Sequence, residues 1–409
     1  MNFKFLGLSS SILKALKDAG YVTPTPIQQK AIPAILNGSD ILGTSQTGTG
    51  KTAGFTLPLL QLLDKNSQSN NKPRALILCP TRELATQIHK CVETYGKYLA
   101  IRSVAIFGGV SIHSQKSRLK KGLDIIVATP GRLLDLSNQN SIHLQNIGFF
   151  VLDEADRMLD MGFIKDIRKI LTLLPKKRQN LMFSATFSKD IKTLASQIVK
   201  KAVTINVAKK KKSLKEIKER FISVDASKKM QLIYRLVNEE SWFQALIFVR
   251  TKRRADNLER FLKRKKLDAS AIHSDKSQSQ RNKVLDGFKK NKIRIMIATD
   301  IASRGIDINE LSHVVNFDLP SVPEDYVHRI GRTGRAGASG TAVSFVTSED
   351  KKTLEAIDRY RKNKSVLESA PECEPESQNK EHKVRSPEQK RRKRKIKKDT
   401  QKKNKQKSK

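Results

Sequence analysis

The feature that most restricts this chain is a recurring pattern of short apolar runs, each about one strand long and each closed by a polar or glycine-bearing cluster. In the first half the runs are DILGTS, RALILCPT, SVAIFGG, DIIVATP, FFVLDEAD and NLMFSAT. The second half repeats the scheme with QALIFVRT, DASAIHSD, IRIMIATD, HVVNFDLP and TAVSFVT. Runs that are apolar at successive positions, rather than alternate ones, belong to strands buried on both faces. Helical patterns lie between several of them, as at Glu83–Tyr95 and Phe163–Leu174. Strands alternating with helices predict an α/β chain whose mostly parallel sheets are flanked by helices. Two such series, divided by the polar stretch Ala208–Lys218, predict domains at residues 1–207 and 219–363 with a linker at 208–218. From 364 to 409 the pattern stops, and that segment reads as a disordered basic tail.

In open α/β sheets ligands sit beyond the carboxyl ends of the strands, where each of these polar clusters falls. One cluster needs a ligand to make sense. The stretch FFVLDEADRMLD delivers Asp153 and Glu154 side by side after an apolar run, with Asp156 just beyond. Adjacent carboxylates repel, and burial raises that cost unless a cation or a proton sits between them. The cluster DILGTSQTGTGKT answers half the question. Gly48 and Gly50 let backbone N–H groups turn inward around phosphate oxygens, and the start of the following helix adds partial positive charge. Lys51 reaches the terminal phosphates, and the Thr52 hydroxyl can ligate Mg²⁺. The whole cradle is Ser45, Gln46, Thr47, Gly48, Thr49, Gly50, Lys51 and Thr52, with Ser45 where the strict pattern has glycine. The alternative is a plain Gly/Thr-rich turn, which leaves the acids unexplained. With a nucleotide in place, Asp153 serves its Mg²⁺, usually through water, and Glu154 orients and deprotonates the attacking water.

Read together, the two halves resemble the DEAD-box RNA helicases from Phe3 to Lys362, and in particular bacterial RhlE-type members with a compact core and a basic extension. The acids spell Asp153-Glu154-Ala155-Asp156 themselves. GYVTPTPIQ resembles the family's adenine-reading motif, which assigns Gln28 to the base edge and Phe3 to the upstream aromatic, and implies ATP as the cofactor. PTRELA, the pair Gly108–Gly109 and TPGR are similar to its RNA-backbone motifs, which assigns RNA contact to Pro80, Thr81, Arg82, Thr129, Pro130 and Arg132. IFVRT, QSQR and ATDIASRGID extend that assignment to Arg250, Thr251, Gln278, Arg281, Thr299, Asp300, Arg304 and Gly305. For each hydroxyl among these, an ordinary strand-end cap is the alternative. SAT (Ser184–Thr186) matches the segment that couples hydrolysis to strand separation. HRIGRTGR supplies His328 as an interdomain contact, and Arg332 and Arg335 as guanidinium groups that stabilise charge on the transferring phosphoryl group. Asp307 falls on the ribose side. Asp156 is either a third acid at the metal or a partner of Arg329 or of the SAT groups. The resemblance implies two RecA-like domains that close on ATP and single-stranded RNA, melt a short duplex and reset on hydrolysis.

Composition bears on the partner. The chain carries 80 basic against 40 acidic residues, a net charge of +40, which favours a polyanion. Residues 380–409 hold 16 of the basic groups. They supply salt-sensitive attraction to phosphates, or serve only to solubilise. The charge does not choose among polyanions; the resemblance implies RNA, with ribosomal precursors or the RNA-degradation machinery behind it, and no membrane is expected, because no apolar run approaches the ~20 residues of a span. Cys79, Cys91 and Cys373 form no disulfide-like or metal-like pattern, and the N-terminus lacks a secretory signal, so a cytoplasmic location is expected. His89, His113, His143, His273 and His313 lack metal-ligand spacing. A charge-driven RNA clamp would need a damaged motor motif, and the sequence has none.

Overall fold

The computed structural model describes residues 2–45, 49–65, 72–186, 188–207, 217–303, 308, 311–334 and 340–370. Seven strands form the first sheet: β1 Ile41–Thr44, β2 Ala75–Leu78, β3 Ser103–Ile106, β4 Ile125–Ala128, β5 Phe149–Leu152, β6 Gln179–Ser184 and β7 Val203–Asn206. Seven more form the second: β8 Ile217–Ser223, β9 Ala245–Phe248, β10 Ala269–Ile272, β11 Ile295–Ala298, β12 His313–Asn316, β13 Gly340–Val346 and β14 Leu367–Glu368. Every pairing between them is parallel. The orders are β3-β4-β2-β5-β6-β1-β7 and β10-β11-β9-β12-β13-β8-β14. These are one order written twice, so each strand of the first lobe has a counterpart in the second.

The continuous apolar runs are explained by the pleat. In β2, Ala75 and Ile77 enter the core on one face of the sheet, while Leu76 and Leu78 enter the core on the other. Helices cover both faces, so no position along the strand is free to be polar. The polar residues begin where each strand leaves the core. The expected helices stand at Arg82–Tyr95 and Ile164–Leu173, and the N-terminus forms a 3₁₀ turn, Phe3–Leu6, followed by the helix Ser10–Asp18.

The second lobe does not end at 363. After the helix Lys351–Arg361 the chain returns to pair β14 with β8, and Ala370 is buried in the second lobe's core. Glu368 locks this return by accepting from the Arg220 guanidinium at 2.9 Å. The expected tail therefore starts at least seven residues later. At the other boundary β8 begins at Ile217, inside the expected linker, while residues 208–216 lie outside the described set, as do 371–409.

Candidate functional site

β1 and β5 deliver the groups expected at a nucleotide to one rim. Beyond β1, Lys51 opens the helix Lys51–Lys65 and is buried, its Nζ donating to the Ser45 carbonyl at 2.9 Å. Ser45 and Thr49 share a hydrogen bond of 2.8 Å across the loop. Gly50 has φ +88°, and a Cβ there would press on the Gln28 amide. Gln28 is itself buried: its Oε1 accepts from Thr25 N at 2.9 Å and its Nε2 donates to Gly50 O at 3.0 Å. One amide proton and one lone pair are left over, which is the donor–acceptor pair an adenine edge needs. Phe3 is packed in the first lobe's apolar cluster, while Phe5 is the exposed aromatic of that turn. Gln46, Thr47 and Gly48 lie outside the described residues.

β5 ends in three fully buried apolar side chains, Phe150, Val151 and Leu152, each stabilising by roughly 1.5–3 kcal/mol. That suffices to carry Asp153 inside at 2% exposure. Burial pushes its carboxyl up to about 6, Lys51 pulls it down, and Glu154 pushes it further up. Its Oδ1 accepts from Glu154 N at 3.0 Å. Glu154 adopts φ 52°, ψ 49°, a left-handed conformation that costs a non-glycine residue about 1–2 kcal/mol. Its side chain is buried all the same. Glu154 Oε2 lies 3.5 Å from Arg157 Nε but accepts no hydrogen bond. Asp156 does not reach Arg329; its Oδ2 accepts from Ala185 N and Thr186 N, both at 3.0 Å, so it caps the SAT segment beyond β6. Ser184 Oγ donates to Thr186 O at 2.8 Å.

The remaining first-lobe residues form one neighbourhood at the ends of β2, β3 and β4. Thr81 Oγ1 accepts from Leu84 N at 3.2 Å, capping the helix Arg82–Tyr95. Arg82 lies against Gly109, where φ is +76° and any Cβ would meet the guanidinium. Arg132 Nη1 donates to Val110 O at 3.1 Å, just past the glycine pair. Thr129 and Pro130 open the helix Pro130–Asn138 beside it.

The second lobe repeats the arrangement. Thr251 caps the helix Lys252–Arg264 by accepting from Arg254 N at 3.2 Å, the counterpart of Thr81 at the end of the counterpart strand. Arg250 is held by its backbone N–H on buried Asp318 at 2.9 Å, with its guanidinium half-exposed. Gln278 and Arg281 are buried against the other lobe: Gln278 Nε2 donates to Glu83 Oε1 at 3.0 Å, and Arg281 Nη2 stands 3.0 Å from the same oxygen. Glu83, not singled out from the sequence, is thus one meeting point of the lobes. Asp300, expected at RNA, is instead bound by Arg329 through both oxygens, at 2.6 and 2.7 Å. A carboxylate would repel phosphate, and a buried arginine needs it. Thr299 stands at the end of β11. Arg304, Gly305, Asp307 and Arg335 lie outside the described residues. His328 is set among Arg157 and Asp156 of the first lobe and Asp325 and Arg332 of its own; burial, then Arg157, hold its imidazole down at about 4. Arg332 is buried beside it.

Two parallel-sheet lobes of one strand order, with a glycine-bearing loop and acid pair on one and a basic helix end of the other set beside them, fit a two-lobed nucleotide-driven motor. The comparisons agree. The DEAD/DEAH box helicase family matches residues 25–194, and the helicase conserved C-terminal domain matches 228–337. The DEAD-box ATP-dependent RNA helicase CshA of Bacillus cereus is 44% identical over 90% of this chain and 70% of its own length. S. cerevisiae Dbp5 bound to RNA and ADP BeF3 superposes with TM-score 0.78 at 33% identity, over 90% of this chain and 95% of that one. A Dbp5 variant bound to Nup159, Gle1, IP6 and ADP reaches 0.59 at 32% identity, over 89% and 95%. The chain belongs to the DEAD-box family of ATP-dependent RNA helicases. Of these two states of essentially one sequence, the RNA-bound one gives the higher TM-score.

Proposed function

We propose that the chain binds ATP with Mg²⁺ at the phosphate loop, holds RNA across the rim of both lobes, and melts short duplexes as the lobes close. What supports this most is Glu154, a buried carboxylate with an oxygen that accepts no hydrogen bond, next to an acid that burial holds near neutral pH. Thr52 and Asp153 fit a divalent cation, since a positive charge there offsets the burial, and then the repulsion from Glu154, that raise Asp153. Bound there, the ion would draw charge from the phosphates. Lys51 orients the terminal phosphate, Glu154 takes the proton of the attacking water, and Arg332 with Arg335 answers the charge that builds on the phosphoryl group. Asp156, Ser184, Thr186 and His328 carry the state of that site to the lobe contact. Arg82, Arg132 and Arg250, with Thr81, Thr129 and Thr251, grip backbone and 2′-OH groups without reading sequence.

Glu154→Gln tests the assignment. Turnover is expected to fall at least about 100-fold, with ATP and RNA affinity held within a few-fold; undiminished RNA-stimulated hydrolysis would remove Glu154 as the base. The compact core followed by a basic extension also supports an RhlE-like placement, a cytoplasmic location and a role on structured RNA in ribosome biogenesis or mRNA turnover. Crosslinking in cells and sequencing of the attached RNA separates those two roles.

A further inference from the structure

The helix Lys252–Arg264 divides its charges by face. Ala255, Leu258 and Leu262 are buried against the sheet. A flanking face holds both acids of the helix, and both are paired: Asp256 with Lys276 at 2.9 Å, and Glu259 with Lys263 at 2.6 Å. Lys252 on that face pairs with Asp275 at 2.8 Å. Directly opposite the core lie Arg253, Asn257, Arg260 and Arg264, at steps of four, three and four, which superimpose at 3.6 residues per turn. All four are exposed. Among the described residues none of these arginines makes an ion pair; Arg260 only donates to Asn257 Oδ1 and to the Asp256 carbonyl. A helix kept only for solubility has no reason to neutralise one face and leave a carboxylate-free arginine row on the next. Arginine is also the side chain whose planar fork matches phosphate.

Position gives the row its meaning. Its first member follows Arg250 and Thr251, and the row then runs about 16 Å down the outside of the second lobe, the length of several stacked nucleotides. We propose that this arginine face is a second RNA-backbone subsite, taking the duplex flank that leaves the rim. This rests on the RNA-dependent reading above. The face binds phosphates and contributes nothing to hydrolysis itself.

The test is the full chain carrying Arg253→Gln, Arg260→Gln and Arg264→Gln, against a control of equal charge change, Lys165→Gln, Lys169→Gln and Lys176→Gln, all exposed in the first lobe. Two RNAs are compared: the shortest single strand that still stimulates the unaltered chain, and the same strand extended by one turn of duplex. The arginine variant is expected to lose about tenfold in affinity for the extended RNA at low salt, with a log–log salt slope shallower by about 2–3. Its affinity for the short strand and its maximal ATPase rate should stay within twofold, and its melting temperature should not move. Equal loss on both RNAs, no loss on either, or the same loss in the lysine control would overturn the proposal. Failure of any RNA to stimulate the unaltered chain would instead strike the reading it rests on.

Discussion

Asp153 sits where its own charge is resisted. Its carboxyl is pushed up to about 6 by burial and by Glu154, against the usual value near 3.8. The folded state therefore binds this proton more tightly than the unfolded chain. The group favours folding fully below about pH 4, and that contribution is lost as pH rises through 6, a cost of roughly 3 kcal/mol at neutral pH. Asp153→Asn removes the repulsion and keeps a polar group of the same shape. Without ligand at pH 8, the variant is expected to melt a few degrees higher than the wild type, corresponding to about 1–2 kcal/mol. Adding Mg²⁺ and ADP should raise the wild type markedly and the variant little. A variant that melts lower without ligand would mean that Asp153 already stabilises the empty fold. The sequence made the acid pair legible because its types and its place after an apolar run are both local facts. It left the left-handed turn at Glu154 hidden, since nothing about a glutamate announces positive φ.

The helix Pro323–Ile330 shows how one element can be fixed on one lobe and report to the other. Tyr326 donates to Glu219 at 2.6 Å, and Arg329 is bound by Asp300, Asn316 and the Asp318 carbonyl. With those side chains tied down, His328 faces Arg157 and Asp156. Burial, then Arg157, hold its pKa at about 4 with the lobes together, and parting them removes Arg157 and relaxes it toward the ordinary value near 6.5. The closed form thus binds fewer protons, and the contribution of His328 to closure is present above pH 6.5 and is lost as pH falls toward 4. Interlobe energy transfer with RNA and an ATP analogue should report weakening closure across that window. In His328→Gln the same window should be flatter; an identical profile in both proteins would place the titration elsewhere. Strands and helices of this kind were legible because each is set by its own residues. The junction of Glu83 with Gln278 and Arg281 was not, because it joins groups 195 and 198 residues apart in the chain. β14 escaped for another reason: two residues of strand amid polar sequence carry no period to detect.

At the scale of the whole molecule two sources of RNA affinity compete for credit. Residues 371–409 contain 16 basic and 6 acidic groups, a counterion-releasing charge that raises the local RNA concentration without choosing a substrate. The lobes contain a cleft that closes only when groups from both meet, at Glu83 and around His328. If the motor resides in the cleft, the two contributions separate on truncation. A chain ending at Ala370, the last described residue and one packed in the second lobe's core, keeps β14 and every contact described. Its affinity for RNA is expected to fall about 10–100-fold at low salt, with a shallower salt slope and little difference at high salt, where screening has already silenced the tail. Its ATPase rate at saturating RNA should stay within twofold of the full chain. If saturating RNA no longer stimulates the truncated chain, coupling resides in the charge and not in closure. The cut must fall after Ala370 and not at 363, because losing β14 would strip the pairing from β8 and unpair Arg220 from Glu368, and a merely unfolded lobe would then imitate a lost function.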